Sequence, residues 1–332
     1  MARARRQAPD EFALIARYFR PLATEEKGAF ALTDDAAVLE LPRNTRLVAT
    51  TDCLIEGVHF PQDAAPEDIA PKLLRVNLSD LAAMGAEPRW YLLAAGFARG
   101  TTAAWIGRFA RALRREQRKF GITLAGGDTV AAPGRACFTV TALGVTEKGG
   151  GIRRSGARAG DDVYVSGAIG DAALGLRVLR GELRLPARHA RHLLERYHRP
   201  TPRIELGRRL AGVARAAIDV SDGLIADLGH ICEASRLGAI VDGKAVPLSP
   251  AGRAALRAKP EWFEHVLAGG DDYELVFTAP AALRSRIRAI ARELRVPLTR
   301  IGRMGRAGRP AVHVTGPDGR AMTLARAGWR HF

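Results

Sequence analysis

Aspartates recur in this sequence where an apolar run gives way to a turn or a helix-like pattern, each with a glycine or a hydroxyl close by. "LTDDAAVLEL" carries Asp34 and Asp35, and "ATTDCLIEGVHF" carries Thr50, Thr51 and Asp52. "VNLSDLAAMG" carries Asp80, "AGGDTV" carries Asp128, and "DVSDG" carries Asp219, Ser221 and Asp222. Taken singly, each has a bland explanation as a helix N-cap or a turn residue. Taken together they suggest more. Carboxylates converging on one cleft repel one another and raise one another's pKa unless something positive sits between them. A hard divalent cation such as Mg2+ is the natural partner, because it takes oxygen ligands and is usually shared between carboxylates and substrate phosphates. Thr50, Thr51 and Ser221 can add neutral oxygens to the metal or to a phosphate. The chemistry this implies is metal-assisted handling of phosphate groups.

Missing motifs narrow it further. The chain has no G-x-x-x-x-G-K-[ST] loop, no kinase H-R-D or D-F-G set, no G-x-S-x-G elbow and no His-Cys zinc spacing. Cys53, Cys137 and Cys232 are scattered, which argues against a disulfide framework and fits a reducing cytoplasm. The basic start, "MARARRQAPDEFALIARYF", has no apolar h-region, so no signal peptide is expected and the expected location is cytoplasmic. No apolar run approaches the ~18 residues of a membrane span, so no membrane partner is expected.

The formal net charge of +16 invites a nucleic-acid reading, but the pattern argues against it. Most of the positive charge is arginine spread through candidate helices, and only 6% of residues are aromatic, which leaves few stacking platforms. A surplus of this kind attracts small polyanions, nucleotides among them.

The acids must be positioned by a larger framework. At ~150 residues per domain, 332 residues suggest two domains. An amphipathic helix is expected over about 10–20, a strand over 46–52, a helix over 65–86 and a buried strand over 89–98. A helix over 103–121 ends at Gly121, and strands follow at 122–128 and 136–145. "TEKGGGIRRSGARAGD" (146–161) is the best boundary, giving domains 1–148 and 149–332. Beyond it come a strand at 162–167, helices around 170–180, across 187–213 and over 280–296, and strands at 239–243, 273–279, 311–316 and 321–325. Strands and helices intermix in both halves, so each is α/β or α+β.

The series "DDAAVL", "TTDCLIEGVHF", "NLSDLAAMGA", "AGGDT", "RRSGARAGD", "AIDVSDGLIADLGHI" and "GGDDYELVFT" closely resembles the thiamine-monophosphate kinases, in order and over nearly the whole chain. These belong to the superfamily of aminoimidazole-ribotide synthetase and selenophosphate synthetase. The resemblance implies a two-domain α/β (α+β) ATP-binding fold, a homodimer paired through the N-terminal sheet, and transfer of the γ-phosphoryl group of ATP to thiamine monophosphate. It implies several Mg2+ ions, with Asp35, Asp52, Asp80, Asp128, Asp219 and Asp222 as ligands helped by Thr50 and Thr51. Asp128 would also belong to the nucleotide site, where Gly127, Arg154 and Ser221 would touch ATP. His59 and Asp271 would face the thiamine phosphate. No general acid or base is implied, since an attacking phosphate with a second pKa near ~6 is already ionised at neutral pH.

The chain departs from the family in four places. Leu32-Thr33 stands where glycine usually precedes the Asp-Asp pair, Val130 replaces a threonine, and Asp271 replaces a glutamate. Arg326 aligns with the family's C-terminal aromatic, which leaves Trp329 as the aromatic to pack on the thiamine. Two rival readings remain open at this level. One is an amidine ligase of purine synthesis from the same superfamily, disfavoured by "GVHF" and the final "GWRHF". The other is a non-catalytic nucleotide sensor or nucleic-acid binder using the basic surface.

Overall fold

A computed structural model of the chain describes residues 11–147, 149, 151–307 and 310–329. The basic residues 1–10, Lys148 and the final Arg330, His331 and Phe332 lie outside them, and with them the start of the expected first helix. The backbone divides into two compact units, one of 1–77 with 88–145 and one of 78–87 with 146–332.

In the first unit, α1 (Glu11–Leu14) runs into a π-helical turn (Ile15–Phe19) and a 3-10 turn (Arg20–Leu22), not one regular amphipathic helix as the sequence suggests. There follow β1 (Thr45–Ile55), α2 (Pro66–Ala83), which from residue 78 onward belongs to the second unit, β2 (Glu87–Ala98), α3 (Ala103–Phe120), β3 (Thr123–Ala132) and β4 (Cys137–Glu147). The strands lie in the order β1-β4-β2-β3, with β2 and β3 parallel. α3 shows how local sequence fixes an element. The Thr102 hydroxyl accepts the Trp105 N–H at its start, and Gly121 closes it in the left-handed conformation at φ 64°. Ile106, Phe109, Ala110 and Leu113 form its buried stripe. Phe109 lies 5.0 Å from Phe138 of β4, centroid to centroid, and Phe138 lies 5.4 Å from Phe97 of β2. Such aromatic contacts add about 1 kcal/mol each beyond area burial. The other face of the sheet is open, and along β1 Leu47, Ala49, Thr51, Cys53 and Ile55 alternate outward.

The second unit comprises β5 (Asp162–Ser166), α4 (Asp171–Leu179), α5 (Ala187–His198), α6 (Ile204–Leu210), β6 (Ala216–Asp219), α7 (Leu224–Ser235), β7 (Leu237–Asp242), α8 (Pro250–Ala258), α9 (Phe263–Ala268), β8 (Leu275–Ala279), α10 (Arg284–Leu294), β9 (Leu298–Ala307), β10 (Val312–Thr315) and β11 (Ala321–Met322). Among the described residues these strands form one mixed seven-stranded sheet, β11-β10-β7-β9-β5-β8-β6. Every residue of β5, β8 and β6 is buried, which requires cover on both faces. Val163, Val165, Ile218 and Val276 join one core with Leu174, Leu193, Leu228 and Val266 of α4, α5, α7 and α9. Tyr164, Ala217, Leu275 and Phe277 face the other way, onto Leu206 and Leu210 of α6 and Ile287 and Ile290 of α10.

Sequence reasoning left three elements unread here: α8, α9 and β9. The last has a physical reason. Its pairing with β5 shifts register between Val163 and Tyr164, so its buried residues, Ile301 and Met304, fall three apart and break the alternation of a strand. The expected strand at 273–279 starts only at Leu275, because Tyr273 is left-handed at φ 51°.

Candidate phosphoryl-transfer site

β6 ends in Asp219, which is 3% exposed, and the chain then turns through Val220-Ser221-Asp222-Gly223 into α7. The helix has no cap at its own N-cap residue, since Gly223 has no side chain. Asp227, in the first turn, does that work from inside. One of its carboxyl oxygens accepts the N–H groups of Ser221, Asp222 and Gly223 at 3.0, 3.1 and 3.1 Å. Burial and the charge of Asp222 push the Asp227 carboxyl up to about 7 against these N–H groups, which pull it down. Gly223 sits at φ 131°, and a Cβ there would lie 2.7 Å from the carbonyl carbon of Ala268. No other residue fits this turn.

Two more segments close on this loop. The N–H of Asp271 donates to the Ser221 carbonyl at 2.8 Å, and the N–H of Tyr273 to the Val220 carbonyl at 2.8 Å. Asp271 is left-handed at φ 73°, and its carboxylate accepts the Tyr273 hydroxyl at 3.3 Å. A Cβ on Gly270 would fall 2.2 Å from the Ser221 carbonyl oxygen, so the approach needs glycine. From the C-terminal side the Trp329 N–H donates to the Asp222 carbonyl at 3.0 Å, with the indole largely exposed. The structure therefore brings Asp219, Ser221, Asp222, Asp271 and Trp329 to one corner of the second unit. Arg154 lies elsewhere along the edge strand. The neighbouring Arg153 carbonyl accepts the Ala217 N–H at 3.0 Å, and the Arg154 side chain is exposed. Asp80, also in the second unit, is half-buried near the end of α2.

In the first unit the acids stand in the open. Asp35 is exposed after the 3-10 segment Lys27–Leu32. Asp128 is exposed on β3, where its carboxylate accepts the N–H of Thr129 at 2.8 Å. The preceding Gly127 has φ 153°, and a Cβ there would lie 1.9 Å from the Leu93 carbonyl oxygen. The half-buried Asp52 is steadied through its backbone, its N–H donating to the Asn77 side chain at 3.1 Å. Thr50 and Asp52 share one face of β1. Thr51 is on the other, its hydroxyl donating to the Val140 carbonyl at 3.1 Å. The structure does not bring these three neighbours to one face. His59 is half-buried, and its Nδ1 accepts the Ile55 N–H at 3.0 Å, so the neutral ring carries its hydrogen on Nε2.

Among the described residues no group of three or more His, Cys, Asp or Glu side chains stands close enough together to hold a metal ion. The donor chemistry nonetheless fits a hard cation, since the candidate ligands are carboxylate and hydroxyl oxygens without thiolate or imidazole. Sequence reasoning missed Asp227 and Asn77, which hold the loop and the strand that carry Asp222 and Asp52. Asp227 had a signal, an acid in the first turn of a helix that begins at glycine. Asn77 had none, because its partner lies 25 residues away.

Known proteins of the same build exist. The model of the AIR synthase related protein N-terminal domain matches residues 33–146, and that of the C-terminal domain matches residues 158–315. The chain is similar to the thiamine-monophosphate kinase of Haemophilus influenzae, 42% identical over 300 residues, or 90% of each chain. It resembles the crystal structure of thiamine-monophosphate kinase from Stenotrophomonas maltophilia K279a, with a TM-score of 0.82 and 43% identity, covering 94% of this chain and 98% of that one. A solved complex of AaThiL with AMPPCP and TMP matches with a TM-score of 0.77 and 31% identity, covering 93% of this chain and 98% of that one.

Proposed function

The chain belongs to the thiamine-monophosphate kinase family of AIR synthase related proteins, and we infer that it transfers the γ-phosphoryl group of ATP to thiamine monophosphate, giving thiamine diphosphate and ADP. Near end-to-end similarity carries this reading, because it covers 90% or more of the chain and both domain models match. AMPPCP is an ATP analogue bridged by carbon between its β and γ phosphorus atoms. Its complex with TMP in a relative of this length supports the same pair of substrates here.

The reaction asks little proton chemistry of the protein. The attacking phosphate monoester is ionised at neutral pH, so no residue has to act as a base, and catalysis rests on positioning and electrostatics. In the first unit Asp35, Asp52, Asp128 and Thr50 would hold Mg2+; in the second, Asp80, Asp219 and Asp222 would. When bound, the ions supply positive charge that lets two anions approach and stabilises the transferring oxygens. Thr51, on the opposite face of β1 with its hydroxyl donating to the Val140 carbonyl, would add a further oxygen. Gly127 and Ser221 would approach the nucleotide, Arg154 would pair with its phosphates, and His59, Asp271 and Trp329 would receive the thiamine phosphate. A homodimer is proposed through the open face of the four-stranded sheet, where Leu47, Ile55, Leu92 and Val130 are exposed.

Incubation with ATP, Mg2+ and either thiamine monophosphate or formylglycinamidine ribotide tests the reading. Thiamine diphosphate and ADP should form in equal amounts with the first substrate alone. ADP formation that depends on the ribotide would replace this function with the purine ligase.

A further inference from the structure

"GGDDYE" carries three acids, of which the reading above uses only Asp271. The other two are buried, Asp272 at 0% and Glu274 at 1% exposure. Asp272 accepts the N–H groups of Gly170 and Ala172 at 2.6 and 3.2 Å, at the start of α4. Glu274 is more elaborately held. Arg203 grips it with Nε and Nη2, both at 2.6 Å, Arg196 Nη2 donates at 2.9 Å, and the Ser166 hydroxyl donates at 2.6 Å. Ser166 in turn accepts the Leu275 N–H at 2.9 Å, and Arg196 Nη2 also reaches the Asp272 carbonyl at 3.0 Å. A Cβ on Gly167 would lie 2.2 Å from a Glu274 carboxyl oxygen, so the carboxylate occupies the space a side chain would take.

The backbone of this clamped residue faces the loop of the candidate site. The Val220 N–H donates to the Glu274 carbonyl, and the Tyr273 N–H returns to the Val220 carbonyl, each at 2.8 Å. Val220 lies between Asp219 and Ser221. Beside these anchors Asp271 and Tyr273 stand in the left-handed region, at φ 73° and 51°. Non-glycine residues keep that conformation only when their surroundings impose it. A buried ion pair is a weak source of stability compared with apolar packing. A two-pronged guanidinium is, however, a strong source of direction.

We propose that Glu274, clamped by Arg203, Arg196 and Ser166, is a positioning residue for phosphoryl transfer. It sets the Asp219–Asp222 loop through its backbone pairing with Val220, and it rests on the reading of that loop as part of the transfer site. Glu274 itself touches no substrate.

Arg203→Lys keeps the charge and removes the fork. The full-length variant is compared with wild type by thermal melting, by kcat and KM for both substrates, and by amide exchange of peptides covering 217–224 and 271–275 without ligands. The expected result is a folded protein with both KM values within about threefold, kcat lower by ~10–100-fold as for a small misplacement of reacting groups, and faster exchange in both peptides. Wild-type kcat beside a lowered melting temperature would overturn the proposal, as would reduced kcat with exchange unchanged. Should Arg203→Lys not fold, Ser166→Ala, which removes a single donor, is judged by the same pattern at smaller size, and Glu274→Gln must not restore wild-type kcat. Absence of thiamine diphosphate from wild type would sink the kinase reading instead. On the same samples, exchange that still depends on Arg203 would support the clamp, and exchange that does not would overturn it.

Discussion

The two units hold the same residue type under opposite conditions. On the first, Asp35 and Asp128 are exposed and Asp52 is half-buried. On the second, Asp219 is 3% exposed, and the loop after it hangs on Asp227 and on the backbone of Glu274, both buried. An exposed carboxylate keeps its hydration and costs the fold almost nothing. A buried one costs several kcal/mol unless hydrogen bonds or opposite charges compensate it. The difference separates two tasks that sequence motifs merge: acids proposed to meet a ligand, and acids that hold the backbone carrying them.

The sharpest test of that division pairs Asp219→Asn with Asp128→Asn. Each removes a carboxylate proposed to hold Mg2+, so on that proposal each should lower turnover by roughly 100- to 1000-fold. Only Asp219→Asn should also shift the melting temperature, by several degrees, because only that side chain is buried. Near wild-type turnover in Asp128→Asn would take Asp128 out of the proposed reaction, and an unshifted melt in Asp219→Asn would erase the contrast.

Next in size is Asp227→Ala. It strips the acceptor from the N–H groups of Ser221, Asp222 and Gly223, and a buried donor left unpaired costs about 1–3 kcal/mol. Even with water relieving part of this, the melting temperature should fall by ~5–10 °C. A fall of under 2 °C by calorimetry would mean the loop holds itself. Arg154→Ala, on an exposed strap, should leave the melt alone and raise KM for ATP by ~10-fold with kcat within twofold, as expected for one lost charge-assisted hydrogen bond. An unmoved KM would take Arg154 out of the nucleotide site.

A subtler effect concerns pH. Burial pushes Asp272 up to about 8, against the N–H groups of Gly170 and Ala172, which favour its charged form. Its pKa when unfolded is the ordinary 3.8. Between those values the folded protein binds a proton that the unfolded chain does not, so this group's contribution falls as pH rises from about 4 toward 8. Asn does not titrate. The melting temperature of Asp272→Asn relative to wild type should therefore climb between pH 5 and pH 8. A flat difference would show that Asp272 stays ionised throughout.

Much of the framework was legible because it is local. Thr102 and Gly121 bracket α3 by cap chemistry, and "DVSDG" stands out because two acids and a serine crowd the end of an apolar run. The clamp on Glu274 was not legible. Its partners lie 71, 78 and 108 residues away in sequence, and arginines on α5 and just before α6 look like any solvated face. Ser166, with its hydroxyl pointed inward from β5, had no signal of its own. The expected strand ended at Asp52, whereas β1 continues to Ile55 and sets Thr51 on the face opposite Thr50 and Asp52.

The stretch before Asp35 offers the smallest test and the least legible feature. Phe30, Ala31 and Leu32 are consecutive left-handed residues at φ 47°, 53° and 58°, and none is glycine. For an L-residue this conformation costs about 1–2 kcal/mol, whereas glycine adopts it freely but gives up ~0.5–1 kcal/mol of chain entropy on folding. At Ala31 the first quantity exceeds the second, and the exposed methyl group contributes little packing to lose. Ala31→Gly should therefore raise the melting temperature by ~1–3 °C. A lowered melting temperature would mean that the chain entropy lost by glycine exceeds the strain, and that the run before the acid pair is relaxed rather than held.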